Sequence, residues 1–286
     1  MAIARSLIGL GLVFLGGACF AAQNNFVASA IANGVSALEM TCSRGIIMFL
    51  CGLPFGIHES RKNARYPLST AKSASCRFLA TGFVMRAGFG WISMAWQHMA
   101  LEHLALGDVA ALCWTAPLFT ALLGWATLGE KMGHIELAAA FSIVIGVSFV
   151  SRSPIVMTAL GFANGAVQSP DGVGLTLCAG AALTIACTIC TIRRMAPMVH
   201  WTSLLLVHGL GQAVLSPVLA VSLGVPIVAP SRDVIGDIIG CGLCCVSAHT
   251  PRFALASSPN QLHTSPRPHA SLTPSQCPVP VPARAA

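Results

Sequence analysis

Apolar residues run along this chain in blocks of about twenty, separated by short polar or glycine-bearing breaks. A membrane-crossing helix needs about 20 mostly apolar residues. The blocks predict helices near 5–23, 36–56, 79–100, 106–127, 134–151, 173–192 and 201–224, with a shorter eighth at 234–248 that carries Asp237. They are continuous rather than alternating, which argues against a membrane β-barrel. Leu104–Asp108 and Gly129–Gly133 are very short breaks, so the third, fourth and fifth helices are expected to be antiparallel neighbours. The expected fold class is all-α, a polytopic membrane helix bundle of seven or eight helices.

The pattern also repeats. Gly9-Leu10-Gly11-Leu12 opens one block, and Gly174-Leu175-Thr176-Leu177 opens another 165 residues later. The same shift carries the second block onto the apolar stretch at 201–223, but carries the third onto Pro- and Ser-rich sequence. The expected organisation is a first five-helix unit over 1–154, a partial second copy over 173–247, and a disordered Pro/Ser-rich tail over 248–286. That tail holds eight prolines, and its composition cannot bury a core. A shifted reading frame or a retained intron produces such an ending; a regulatory tail is the alternative. Repeated helical units facing each other build transporter sites near the bilayer midplane.

Composition agrees with a lipid solvent. The chain is 55% hydrophobic and 9% charged, against about 25% charged in soluble domains. The formal charge of +7 does not point to nucleic acid, because the basic residues gather in loops. With the N-terminus inside, Arg5, Arg61, Lys62, Arg65, Lys72, Arg77, Lys131, Arg193 and Arg194 fall on the inner side, and only Arg152 and Arg232 on the outer. This bias predicts a cytoplasmic N-terminus. Arg5 and Cys19-Phe20-Ala21 also have the look of a signal peptide, but the matching block at 174–192 favours an uncleaved first helix. Most of the twelve cysteines lie inside apolar blocks, where Cys acts as a small hydrophobe. Cys187–Cys190 and Cys241–Cys244 have the spacing of zinc or redox pairs, but their separation fits no compact zinc module. No phosphate-binding Gly-rich loop with Lys and Ser/Thr is present, so no ATP is implied. Neither a cofactor nor enzyme chemistry is expected.

The stretch from Arg86 to Pro154 carries a denser signal. It reads Arg86-Ala-Gly-Phe-Gly, then Ala95-Trp-Gln-His, Gly107-Asp108, Trp114-Thr-Ala-Pro117-Leu-Phe, Leu128-Gly-Glu130-Lys131 and Ile145-Gly-Val. Leu38-Glu39 precedes Arg44 upstream, and Ile192-Arg193-Arg194 follows downstream. This pattern resembles the EamA-type drug/metabolite transporter superfamily, in the branch near the solute carrier G-type and nucleotide-sugar transporter relatives. The resemblance implies ten helices in two inverted five-helix repeats and secondary transport of a small polar metabolite. Here the second copy is without counterparts of its last two or three helices. The alternative is a non-transporting, truncated or degenerate copy that pairs with a second copy as a homodimer. Expected partners are the lipid bilayer and a small metabolite.

Several polar residues fall within the apolar blocks. Arg44 lies near the middle of the second, where an Arg costs about 2.5–3.5 kcal/mol on insertion scales and must face the bundle or a wet cavity. It is an expected anchor for a substrate anion, or else a structural pair with Glu39. Arg86, Trp91 and Gln97 share the third helix: a cation that reaches the cavity or snorkels, a ring that stacks a substrate, and an amide that needs a partner. Trp114, Thr115 and Pro117 lie in the fourth, where Pro117 frees a carbonyl near Cys113. Asp108 is expected to cap that helix, and Glu130 with Lys131 to close it as a loop pair or gate. Gln23, Asn24 and Asn25 are assigned to the outer interface. His98 and His103, five apart, receive no ligand role. Gly9, Gly17, Ala21, Gly82 and Gly90 are expected to allow close helix approach.

Overall fold

The structure is a computed structural model, and it describes residues 2–62, 76–129, 133–150, 171–196, 199–225 and 232–256. Among them every regular element is helical: α1 (Ala2–Ala32), α2 (Ala37–Lys62), α3 (Cys76–Ala100), α4 (Leu106–Cys113), α5 (Ala116–Leu123), a π-helical turn (Gly124–Leu128), α6 (His134–Val150), α7 (Gly172–Met195), α8 (Trp201–Ser222) and α9 (Arg232–Ala256). The expected all-α bundle is what the chain forms.

Five stretches are long and apolar enough to cross a membrane: Ala37–His58, Arg77–Ala100, Leu106–Thr127, Gly172–Met195 and Trp201–Ser222. Shorter apolar helices lie at Ala138–Val147 and Val234–Ala248. Less than half of each long stretch is buried inside the bundle. The rest presents Val84, Leu122, Leu183, Val214, Val218 and other large apolar side chains outward. Water would not tolerate that much contiguous apolar surface, but lipid does. The protein is a multi-pass integral membrane protein.

Helix ends follow local chemistry. After α1, Gly34 takes φ +88°, and Val35 N–H reaches back to the Ala30 carbonyl. After α8, Gly224 takes φ +66°, and Val225 N–H reaches the Ala220 carbonyl. Both are glycine-terminated helix ends that satisfy otherwise orphaned carbonyls. At the start of α7, Asp171 Oδ1 accepts the Val173 N–H at 3.0 Å.

Three elements differ from the sequence reading. α1 does not stop at 23; it continues to Ala32, and Gln23 and Asn24 are buried in its interior rather than placed at an interface. Asn24 finds a polar partner on α3 inside the bundle, and the helix runs on past both residues. The fourth block is not one helix. It breaks at Trp114–Thr115, and Pro117 sits at the start of α5, where its missing N–H costs no hydrogen bond. α9 runs on to Ala256, beyond its apolar portion; residues 257–286 of the expected tail lie outside the described residues.

The tertiary pairing is selective. α2 packs most extensively on α8, α1 on α9, and α3 on α7, with α3 also touching α8. The α2–α8 contact is closest at two glycines. A Cβ on Gly45 would lie 2.6 Å from Gln212 Cβ and 2.8 Å from the Gly209 carbonyl oxygen. A Cβ on Gly209 would lie 2.9 Å from Phe49 N and 3.0 Å from the Gly45 carbonyl oxygen. The two backbones meet reciprocally, and neither tolerates a side chain.

Candidate functional site

Helix α8 carries His208, Gln212 and Ser216, a polar residue at every fourth position of an otherwise apolar helix. That spacing puts all three on one face, and all three are buried. Arg44 from α2 and Arg86 and Trp91 from α3 meet this face. Arg44 Nη1 donates to Gln212 Oε1 at 2.8 Å. Gln212 Nε2 donates to His208 Nε2 at 2.8 Å. Trp91 Nε1 donates to Ser216 Oγ at 3.0 Å. Gly90 makes room for this group, because a Cβ there would collide with the His208 ring and the Arg86 guanidinium.

Both guanidinium groups are enclosed, Arg44 at 1% and Arg86 at 2% exposure. Their charges act on each other. Among the described residues no carboxylate forms an ion pair with either. Arg44 Nε and Nη2 and Arg86 Nε have no hydrogen-bond partner. The expected structural pair of Arg44 with Glu39 is therefore not made; Gln212 takes that place.

A second polar group lies beside the first, between α1, α2 and α3. Gln97 Nε2 donates to Asn24 Oδ1 at 3.2 Å. Thr41 Oγ1 donates to the Ala37 carbonyl at 2.8 Å. Its proton is thus used, so the His98 Nδ1–H, 2.8 Å away, donates to Thr41 Oγ1. His98 Nε2 and Gln97 Oε1 are left as buried acceptors without a partner, and both the donor and the acceptor end of the Gln23 amide are unpartnered too. Each such atom costs about 1–3 kcal/mol, and each mid-membrane Arg about 2.5–3.5 kcal/mol. An interhelical hydrogen bond returns only about 0.6–2 kcal/mol. Stability alone does not account for a centre of this composition.

The other sequence-predicted residues lie elsewhere. Trp114 is 49% exposed and meets Phe20 edge to face, ring centroids 6.0 Å apart. Thr115 Oγ1 donates to the Leu112 carbonyl at 2.7 Å, and Pro117 is exposed. Asp108 is in the first turn of α4, but the cap position is Ala105 and no side chain bonds there, so the expected cap is not formed. Glu130 and Lys131 lie outside the described residues. His103 Nδ1 pairs with Asp171 Oδ2 at 2.8 Å, joining the α3–α4 turn to the start of α7. The Asp171 carboxyl is held below its ordinary value, first by the Val173 N–H and then by His103. Of the glycines expected at close approaches, Gly82 meets Met195 and Gly90 meets the polar centre, while Gly17 has nothing near it.

His208, Gln212 and Ser216 were not among the residues singled out from the sequence. Their four-residue spacing in an apolar helix was the available signal. A separate cavity of about 390 Å³ opens between α3, α5 and α7, lined by Met85, Phe89, Leu123, Cys190 and other mainly apolar residues. Arg194 Nη2 bridges its rim to the Thr127 carbonyl at 2.6 Å. The cysteines of both CxxC pairs form no disulfide. Among the described residues no three His, Cys, Asp or Glu side chains group as a metal site.

A sequence model of the EamA-like transporter family matches residues 7–152. No curated protein matches the chain.

Proposed function

The chain belongs to the EamA-like transporter family, and from that premise we propose that it is a secondary transporter moving a small polar metabolite through the α2–α3–α8 centre. The observation that carries this reading is the enclosed chain Arg44–Gln212–His208, where two helices cross on bare glycines. Rocking about a central polar site is how repeat-built transporters alternate access.

The helix pairing supports a two-copy organisation. The 165-residue shift places α1 over α7 and α2 over α8, with α9 third in the second copy as α3 is in the first. Exchanging the copies turns the α1–α9 contact into the α7–α3 contact and leaves α2–α8 unchanged, and these are the three most extensive contacts in the bundle. Gly45 and Gly209 mark the closest approach of α2 and α8. In this reading residues 1–154 form the first unit, 173–247 the partial second and 248–286 a tail. The loop bias of Lys and Arg supports a cytoplasmic N-terminus, and a second copy of the chain is a further expected partner.

The test is uptake of labelled small metabolites into liposomes holding the purified full chain, with Arg44→Gln alongside. Uptake of a polar metabolite that Arg44→Gln reduces at least tenfold is the expected result. No uptake across metabolite classes would make the chain a non-transporting copy.

A further inference from the structure

We propose that the α2–α3–α8 centre takes an oxyanion, the carboxylate or phosphate of a small metabolite, held between Arg44 and Arg86. This rests on the transport reading above and specifies its substrate class. The centre gathers two guanidinium charges, and among the described residues no carboxylate pairs with them. Arg stays cationic even in apolar surroundings, and the group the helices themselves bring to both guanidiniums is the Cys245 thiol rather than a carboxylate, so an anion from outside would complete the centre.

The hydrogen bonding is specific about where that charge sits. Gln212 is held at both ends: its oxygen accepts from Arg44 Nη1 and its nitrogen donates to His208. The amide fixes one end of the guanidinium. It leaves the other edge, Nε and Nη2, buried and without a partner. Those two N–H groups point the same way, and that edge matches two oxygens of one carboxylate or phosphate. Arg86 Nε supplies a third unpartnered donor. Gly90 lets Arg86 and His208 close up against the α3 backbone, and the next residue, Trp91, is tethered to Ser216. The group around His98, Thr41 and Gln97 adjoins this centre, since Thr41, bonded to His98, lies one turn before Arg44 on α2. It offers acceptors at His98 Nε2 and Gln97 Oε1, suited to hydroxyl or amine protons on the rest of a metabolite.

A resident halide would satisfy the same two charges, and the experiment separates the two. The thermal unfolding midpoint of the purified full chain in detergent is read against inorganic phosphate, acetate, chloride and neutral glucose at constant ionic strength. A ligand that binds only the folded state raises the midpoint with its concentration. Phosphate and acetate are expected to raise it saturably, with chloride at least tenfold weaker and glucose without effect. Arg44→Gln and Arg86→Gln should each weaken phosphate at least tenfold. Should either fail to fold, Arg44→Lys keeps the charge and removes the two-donor edge; it should weaken phosphate several-fold and leave chloride unchanged. Chloride binding as tightly as phosphate, or phosphate binding untouched by all three substitutions, overturns the proposal. Uptake of a neutral solute at full rate by Arg44→Gln liposomes would overturn it while leaving transport standing. Arg44-dependent phosphate binding without any uptake would do the reverse.

Discussion

The α2–α3–α8 contact and the α4–α6 segment divide what the sequence signals most strongly from what the bundle buries. The α4–α6 segment holds the densest motif of the chain, from Asp108 through Trp114 and Pro117 to Glu130. Its described members nevertheless face outward or mark a helix break: Trp114 is half exposed, Pro117 starts α5, and Asp108 sits in an uncapped first turn. The α2–α8 contact carries isolated polar residues in apolar sequence, and it encloses Arg44, His208, Gln212 and Ser216. The difference is physical. Proline, glycine and acidic residues at helix ends cluster because turns need several at once. A polar residue buried between helices needs only one partner, and that partner sits 168 residues away in the case of Arg44 and Gln212.

The largest expected effect comes from wedging the central crossing. Gly45→Leu places a branched side chain where even a Cβ would be 2.7 Å from the Ala213 nitrogen, a backbone atom that cannot step aside. Overpacking of this kind costs about 1–3 kcal/mol or more. Thermal unfolding in detergent should show Gly45→Leu and Gly209→Leu as the most damaging single substitutions in the chain. Gly17→Leu, with nothing within 4 Å of its Cβ position, should unfold like the parent. Equal midpoints for Gly45→Leu and Gly17→Leu would deny that α2 and α8 meet as described.

Next comes Gln212→Leu, which keeps volume and removes the orienting amide. Arg44 Nη1 then loses its acceptor, a loss of about 1–3 kcal/mol, and His208 loses its donor. Uptake by reconstituted liposomes should fall by at least tenfold while the helical circular dichroism is retained. Trp114→Ala sharpens the comparison from the other side. It removes an edge-to-face contact with Phe20, about 0.5–1.5 kcal/mol, and should leave uptake within about twofold of the parent if the α4–α5 break lies away from the substrate. Uptake lost as fully as in Gln212→Leu would place the motif, not the buried centre, in the transport path.

The helices were legible from the sequence because lipid imposes a length and a composition on each of them, and those are local properties. Arg44, Arg86 and Gln97 were legible for a related reason: a charge or an amide within an apolar block must be turned inward wherever the helix packs. What one helix could not reveal was the partner. Glu39 was the nearest carboxylate in sequence, but the α2–α8 crossing at Gly45 brings Gln212 closer in space. Gln23 and Asn24 read as a helix end because nothing nearby in sequence could satisfy them; α3 supplies Gln97 to Asn24. Gly45 was overlooked although Gly82 and Gly90 were noticed, since a glycine's role at a crossing is set by the opposing backbone.

The smallest effect lies where water competes, at the junction of His103 with Asp171. Asp171 does two things there: Oδ1 accepts the Val173 N–H at the start of α7, and Oδ2 meets the His103 ring. The Val173 bond is the larger cause of its lowered pKa, with His103 second. A carboxyl whose folded value lies below the ordinary 3.8 stabilises the fold above that pH. The stabilisation fades as pH falls below 3.8 toward the folded value. Asp171→Ala should therefore lower the unfolding midpoint slightly at neutral pH, and the gap to the parent should close in strongly acidic buffer. High salt should weaken the His103 part and leave the Val173 part in place. A gap that persists unchanged at acidic pH would mean that the α7 start depends on something other than the Asp171 charge. A gap as large as that of Gly45→Leu would erase the contrast between the buried crossing and the rim.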